Sequence, residues 1–227
     1  MKTKIYLNIV DDLDEVSMQA IKAFSRAHQI SNNRFYIVPG GSTPKLFYNK
    51  LANTISDWEN TKFIMSDERV VPGKDDNSNE AMFKNRLLNK INSENKIDFI
   101  SLLSDKVALE KKLSLLTPQL TILGMGADGH TASLFPKNPI IFNNENFITI
   151  QLKNKWENFE RITLSFEYLM KSKRIILLVV GEEKAKTLQY CLEGSYNPQD
   201  LPLQYILNNF KNEIHVICDK GAGKFLA

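Results

Sequence analysis

Between Leu123 and Pro136, three glycines (Gly124, Gly126 and Gly129) frame Asp128 and His130, directly after the apolar run Leu120-Thr121-Ile122-Leu123. An apolar run that breaks into glycines reads as a buried strand ending in a turn whose backbone can approach a ligand closely. His130 then falls just past the strand's carboxyl end, the edge at which open α/β sheets bind ligands. An imidazole there can accept a proton at physiological pH. A tight turn alone would leave the same residues, so the other loops decide.

Two further loops have similar character. Phe35-Tyr36-Ile37-Val38 runs into Pro39-Gly40-Gly41-Ser42-Thr43-Pro44 and then into a helical pattern. Gly40 and Gly41 clear side chains from the approach, and Ser42 and Thr43 offer hydroxyls that could cap the helix. The free N–H groups of a first helical turn attract an anion. This is a phosphate cradle by composition, although neither a Walker loop nor GxGxxG; a capped turn is the alternative. Lys62 to Met65 runs into Ser66-Asp67-Glu68-Arg69, read as a loop after a strand. There the Arg69 guanidinium could hold a carboxylate, a phosphate or a developing oxyanion. Ser78-Asn79 reads as a helix cap. Lys184, in the first turn after Gly181, gains nothing from the helix dipole, which points to a ligand. Arg161, at the start of a strand over 161–165, could reach the same anion.

The elements that must position these residues alternate strand and helix, the pattern of a mainly parallel sheet with helices on both faces, a Rossmann-like α/β fold. Ile5 to Val10 predicts a strand. Asp11-Asp12 then caps a helix bearing Val16, Ala20, Ala23, Phe24 and Ala27. A helix from Thr43-Pro44 carries Phe47, Leu51 and Ile55, and Glu80 to Leu88 carries Met82, Phe83 and Leu87. The alternation continues through Phe147 to Gln151, Ile162 to Leu164, Ile175 to Val180 and a helix with Ala185, Leu188 and Leu192, and Ile214 to Ile217 closes the sheet. One domain over 1–227 is the simplest account, with room for a small flap within 137–160.

Composition narrows the function classes. The 227 residues are 43% hydrophobic and 24% charged, with a net charge of +3 from interspersed residues. No basic stripe argues for nucleic acid. Cys191 and Cys218 are too few for a disulfide framework. Neither a signal peptide nor a membrane span is expected, which makes the cytoplasm the expected location. His28, His130 and His215 form no metal-binding spacing, so no metal is expected.

Taken together, Gly40-Gly41-Ser42-Thr43-Pro44, Asp67-Glu68-Arg69 with Pro72, Ser78-Asn79, Gly124-x-Gly126-x-Asp128-Gly129-His130-Thr131-Ala132-Ser133-Leu134-Phe135-Pro136, Arg161-Ile162-Thr163 and Gly181-x-x-Lys184-Ala185 resemble the 6-phosphogluconolactonases, in order, over roughly residues 35 to 195. The related glucosamine-6-phosphate deaminases continue differently after the histidine, with an Ile-Ala-Phe-Asn-Glu-Pro type of sequence. The resemblance implies hydrolysis of 6-phosphoglucono-1,5-lactone in the oxidative pentose phosphate route, without a cofactor, by a monomer or homodimer whose partner is this small sugar phosphate. It implies that Gly40 to Thr43, Lys184 and Arg161 hold the phosphate. His130 is then the general base toward water, Asp128 orients the ring, Arg69 steadies the ring oxygens or the tetrahedral intermediate, and Asp67 holds Arg69. The chain departs from the pattern where Asn158-Phe159-Glu160 stands before Arg161 in place of an expected proline, and at Leu201-Pro202-Leu203-Gln204. An aldose-ketose isomerase or deaminase and a non-catalytic sugar-phosphate sensor are the competing readings.

Overall fold

A computed structural model describes residues 3–92, 96–138, 142, 147–151 and 160–226. Its frame is a seven-stranded sheet in the order β1 (Lys4–Val10), β10 (Glu213–Asp219), β9 (Arg174–Val179), β6 (Leu120–Gly124), β2 (Phe35–Val38), β3 (Lys62–Met65) and β5 (Asp98–Ile100). Every pairing in it is parallel. The central strands are largely apolar because helices cover both faces: all four residues of β2 are buried, as are Ile175 to Val179 of β9. No helix among the described residues is long and apolar enough to cross a membrane.

Helix α1 (Leu13–Gln29) begins where the Asp12 carboxylate accepts the Glu15 N–H at 3.0 Å, and it buries Val16, Ala20, Phe24 and Ala27 on one face. Phe24 heads an aromatic cluster, 4.6 Å from Tyr36 and 6.4 Å from Phe63 between ring centroids. His28 belongs to this core. Its Nδ1 meets the Tyr36 hydroxyl at 3.0 Å and its Nε2 meets the Asp57 carbonyl at 2.7 Å, and burial pulls its pKa down.

The structure departs from the sequence expectations in several places. Asp67–Arg69 is a strand, β4, rather than a loop. It pairs antiparallel with β8 (Glu160–Leu164), which pairs antiparallel with β7 (Phe147–Gln151). The segments 147–151 and 162–164 therefore build a second, three-stranded sheet instead of extending the parallel one. Strand β10 does not close the large sheet; it lies between β1 and β9, and β1 is the edge. Helix α2 (Pro44–Leu51) stops before Ile55, and α3 spans Asn79–Arg86. Strand β5, α4 (Lys106–Ser114), α5 (Phe166–Leu169) and α7 (Leu203–Asn209) have no counterpart in the sequence reading, whereas α6 (Ala185–Glu193) does. The flap considered within 137–160 falls largely outside the described residues.

Candidate active site

Three loops leave the carboxyl ends of β2, β6 and β9 on one side of the large sheet, and the small sheet adds its arginines there. Gly40, Gly41, Ser42, Thr43, Asp67, Arg69, His130, Arg161 and Lys184 all line one pocket of about 280 Å³. Asp128 is not in its wall. It stands behind His130, where its carboxylate lies 2.5 Å from the imidazole Nδ1 and accepts the His130 N–H at 3.2 Å.

The loop after β6 folds closely around His130. Gly126 N–H donates to the His130 carbonyl at 2.9 Å, and Gly129, at φ +82°, makes the reversal between them. A Cβ on Gly126 would stand 2.1 Å from His130 Cε1, so the imidazole occupies space that only glycine leaves open. Phe135 packs beside it, with ring centroids 4.7 Å apart. Burial alone would raise the Asp128 carboxyl. The hydrogen bond and charge of His130, with backbone N–H groups, outweigh burial and hold it below the usual carboxylate range. In the tautomer with the proton on Nδ1, that N–H would donate to the carboxylate, and Nε2 would be the nitrogen without a proton.

The loop after β2 turns tightly into α2. Gly41 adopts φ +87°, and Thr43 occupies the cap position of α2 without a side-chain cap hydrogen bond. The expectation that Ser42 and Thr43 cap the helix is thus not met. A Cβ on Gly40 would overlap the Asn79 carboxamide at 2.1 Å, which is why the chain approaches α3 so closely at this point.

Asn79 is the residue that the sequence reading undervalued. Ser78 is the cap expected from sequence, accepting the Ala81 N–H at 3.0 Å. Asn79 instead bridges: its Nδ2 donates to the Asp67 carbonyl at 3.0 Å and its Oδ1 accepts Arg69 Nη1 at 3.2 Å. Arg69 Nη1 also donates to the Asn77 carbonyl at 2.7 Å. The carboxylate of Asp67 faces other groups, so its expected pairing with Arg69 is corrected. It accepts from Ser66 Oγ at 3.0 Å and Ser133 Oγ at 2.7 Å, and its salt bridge is to Arg161 at 3.5 Å.

Arg161 is buried, donates to Ser133 Oγ at 3.3 Å and lies over the Phe135 ring at 5.6 Å. The residues before it depart from the expected pattern, yet the antiparallel register of β8 on β4 sets Arg161 opposite Arg69. Lys184 ends a short 3-10 turn, Glu182–Lys184, immediately before α6. Burial lowers its pKa, although Glu183 and Asp219 pull it upward. Among the described residues that line it, Arg69, Arg161 and Lys184 face one buried carboxylate, Asp67, a charge balance that favours an anion.

A family model described as glucosamine-6-phosphate isomerases/6-phosphogluconolactonase matches residues 9–216. The chain belongs to this family. It is 32% identical over 208 residues to a 6-phosphogluconolactonase of Thermotoga maritima, covering 87% of this chain and 92% of that one. It is 31% identical over 196 residues to a 6-phosphogluconolactonase of Helicobacter pylori, covering 83% of each. In fold it is similar to the crystal structure of 6-phosphogluconolactonase from Leishmania guyanensis, with a TM-score of 0.84 at 23% identity over 97% of this chain and 98% of that one. In this member of the family, the sequence motif Ser78-Asn79 divides its work: one residue caps a helix, and the other hydrogen-bonds the Asp67 carbonyl and Arg69 while its carboxamide fills the space beside Gly40.

Proposed function

We propose that this protein hydrolyses 6-phosphoglucono-1,5-lactone to 6-phosphogluconate, the lactone-opening step of the oxidative pentose phosphate route. The observation that carries the reading is His130, its Nδ1 held by an ionised Asp128, in a pocket walled by a phosphate cradle, two arginines and a lysine. Its support from relatives is the name that the two reported relatives share, at about a third identity over most of the chain.

In this reading Gly40 to Thr43, Lys184 and Arg161 hold the phosphate, which fixes the sugar relative to His130. Nε2 of His130 takes a proton from water as the water oxygen bonds to the lactone carbonyl carbon. Negative charge then develops on the carbonyl oxygen, and Arg69, braced by Asn77 and Asn79, is the donor for it. Breaking the bond from that carbon to the ring oxygen opens the ring, and the proton on His130 is available to the leaving oxygen. The chemistry asks for no electron transfer and no cofactor.

The test is disappearance of freshly generated lactone at slightly acidic pH, where spontaneous opening is slow. Wild type should far exceed the blank, and His130→Ala should lose about 10²- to 10⁴-fold of that rate while still binding 6-phosphogluconate. Wild-type turnover equal to the blank would overturn the reading, and ammonia release from glucosamine-6-phosphate would move the protein to the other branch of its family.

A further inference from the structure

The large sheet ends differently on its two sides. At one edge β5 has only three residues, and its Asp98 pairs with Lys112 at 3.1 Å. At the other, β1 runs for seven residues in unbroken register with β10, without proline. Short or charged edges discourage further pairing, whereas long apolar ones invite it. Ile5, Leu7 and Ile9 stay 38%, 39% and 37% exposed, although their neighbours Ile214, Val216 and Cys218 on β10 are buried.

The backbone of β1 sets the possible pairing. Lys4 N–H donates to the Asn212 carbonyl. Because backbone direction alternates along a strand, Lys4, Tyr6, Asn8 and Val10 turn toward β10, and Ile5, Leu7 and Ile9 turn N–H and C=O outward. The same three residues share one side-chain face.

We propose that β1 is the surface on which two copies of this chain join, antiparallel about a two-fold axis at Leu7. In that register Leu7 meets Leu7 of the second copy and Ile5 meets Ile9. All are outward-facing residues, so each pair exchanges backbone hydrogen bonds and the sheet runs on through both copies. The apolar side chains form one strip across the axis. Charge favours this direction. Lys4 opens β1 and Asp11 and Asp12 follow its end, so antiparallel pairing sets a basic end against an acidic one, and parallel pairing would set like against like. A two-fold contact of this kind closes at two copies. No residue of β1 lines the pocket, so both sites stay open in the dimer.

Sedimentation velocity from about 1 to about 200 µM tests this directly, because a dimer forms by mass action. Wild type should move from monomer to dimer, and Leu7→Lys, which sets two like charges on the axis, should weaken the dimer about tenfold or more. Its lactone turnover at high dilution should match wild type. In a second arm, Leu7→Cys under mild oxidation should form a covalent dimer much faster than Tyr190→Cys, an exposed control, with Cys191 and Cys218 buried. A wild type that stays monomeric throughout overturns the proposal, as does a dimer indifferent to Leu7→Lys. Should the lysine variant misfold, equal cross-linking of the two cysteine variants overturns it.

Discussion

Among the described lysines and arginines lining the pocket, Lys184 has a charge within reach of a pH change. Burial holds its ammonium below the ordinary lysine value of 10.5, against the opposing pull of Glu183 and Asp219. Only the protonated form attracts a phosphate, and a bound phosphate would favour that form. As the pH rises through the depressed value, the free protein loses the charge first, and binding must then take up a proton. The Kd for 6-phosphogluconate, a stable ligand in this range, should therefore rise on the alkaline side at a pH below 10.5. Calorimetry in buffers of different ionisation enthalpy should show the proton uptake, and Lys184→Arg should flatten the profile because a guanidinium stays charged. A wild-type Kd that is constant up to about pH 10 would remove Lys184 from the phosphate site. Asp128 runs the other way: its depressed pKa contributes stability above the ordinary carboxyl value, lost as the pH falls through the folded one.

Between elements, the join that matters most is the one from β4 to α3, and Glu68 makes it. This fully buried carboxylate accepts from Arg69 N–H at 2.7 Å, Ser78 Oγ at 3.1 Å, Asn79 N–H at 2.8 Å and Glu80 N–H at 2.5 Å. Burial raises its pKa, and those four donors pull it back. Glu68→Gln would relieve the burial of a charge but would turn a carboxamide NH₂ toward N–H groups. Unsatisfied buried donors are the larger effect, at about 1–3 kcal/mol of lost stability. Urea unfolding would measure this. The sign with pH follows from the raised pKa: the Glu68 contribution is fully present below the ordinary 4.5 and declines as the pH rises through the folded value. The deficit of the variant should therefore be largest at acid pH; a deficit that grows as the pH rises would contradict the assignment.

This join was hidden from the sequence for a physical reason. Strand β4 is Asp-Glu-Arg, and three charged residues carry no apolar alternation. Its extended form comes from pairing with β8, and its burial from partners far along the chain. The loops after β2 and β6 were legible because an apolar run ending in glycine marks both a strand end and a close approach. Asn79 was read only as part of a cap, since capping and bridging draw on the same residue types. The partner of Asp67 could not be read either: Arg69 is near in sequence, but the salt bridge goes to Arg161, which the second sheet carries back.

At the scale of the whole molecule, the pocket is where the two sheets meet. Ser133, in the loop after β6, donates to Asp67 of the small sheet and accepts from Arg161 of the same sheet, so this buried network ties both sheets together. An anion gripped by the β2 loop, Lys184 and Arg161 would span the same seam and stabilise the fold as a unit. With 6-phosphogluconate at about 100 times its Kd, the gain is about 2.7 kcal/mol. At about 2–4 °C per kcal/mol for a chain of this size, the melting midpoint should rise by about 5–10 °C, with gluconate, which lacks the phosphate, giving little. Arg161→Met should cost about 3–5 kcal/mol by stranding the buried Asp67 charge. Adding Asp67→Asn removes that charge and should recover most of the loss: the carboxamide oxygen keeps one serine hydroxyl's acceptor, and the other hydroxyl can rotate to accept from the new NH₂. The recovered fold separates the two roles of the arginine. If the double variant keeps the full ligand-induced rise, Arg161 serves only the seam; a rise cut well below the wild-type value makes it part of the phosphate grip.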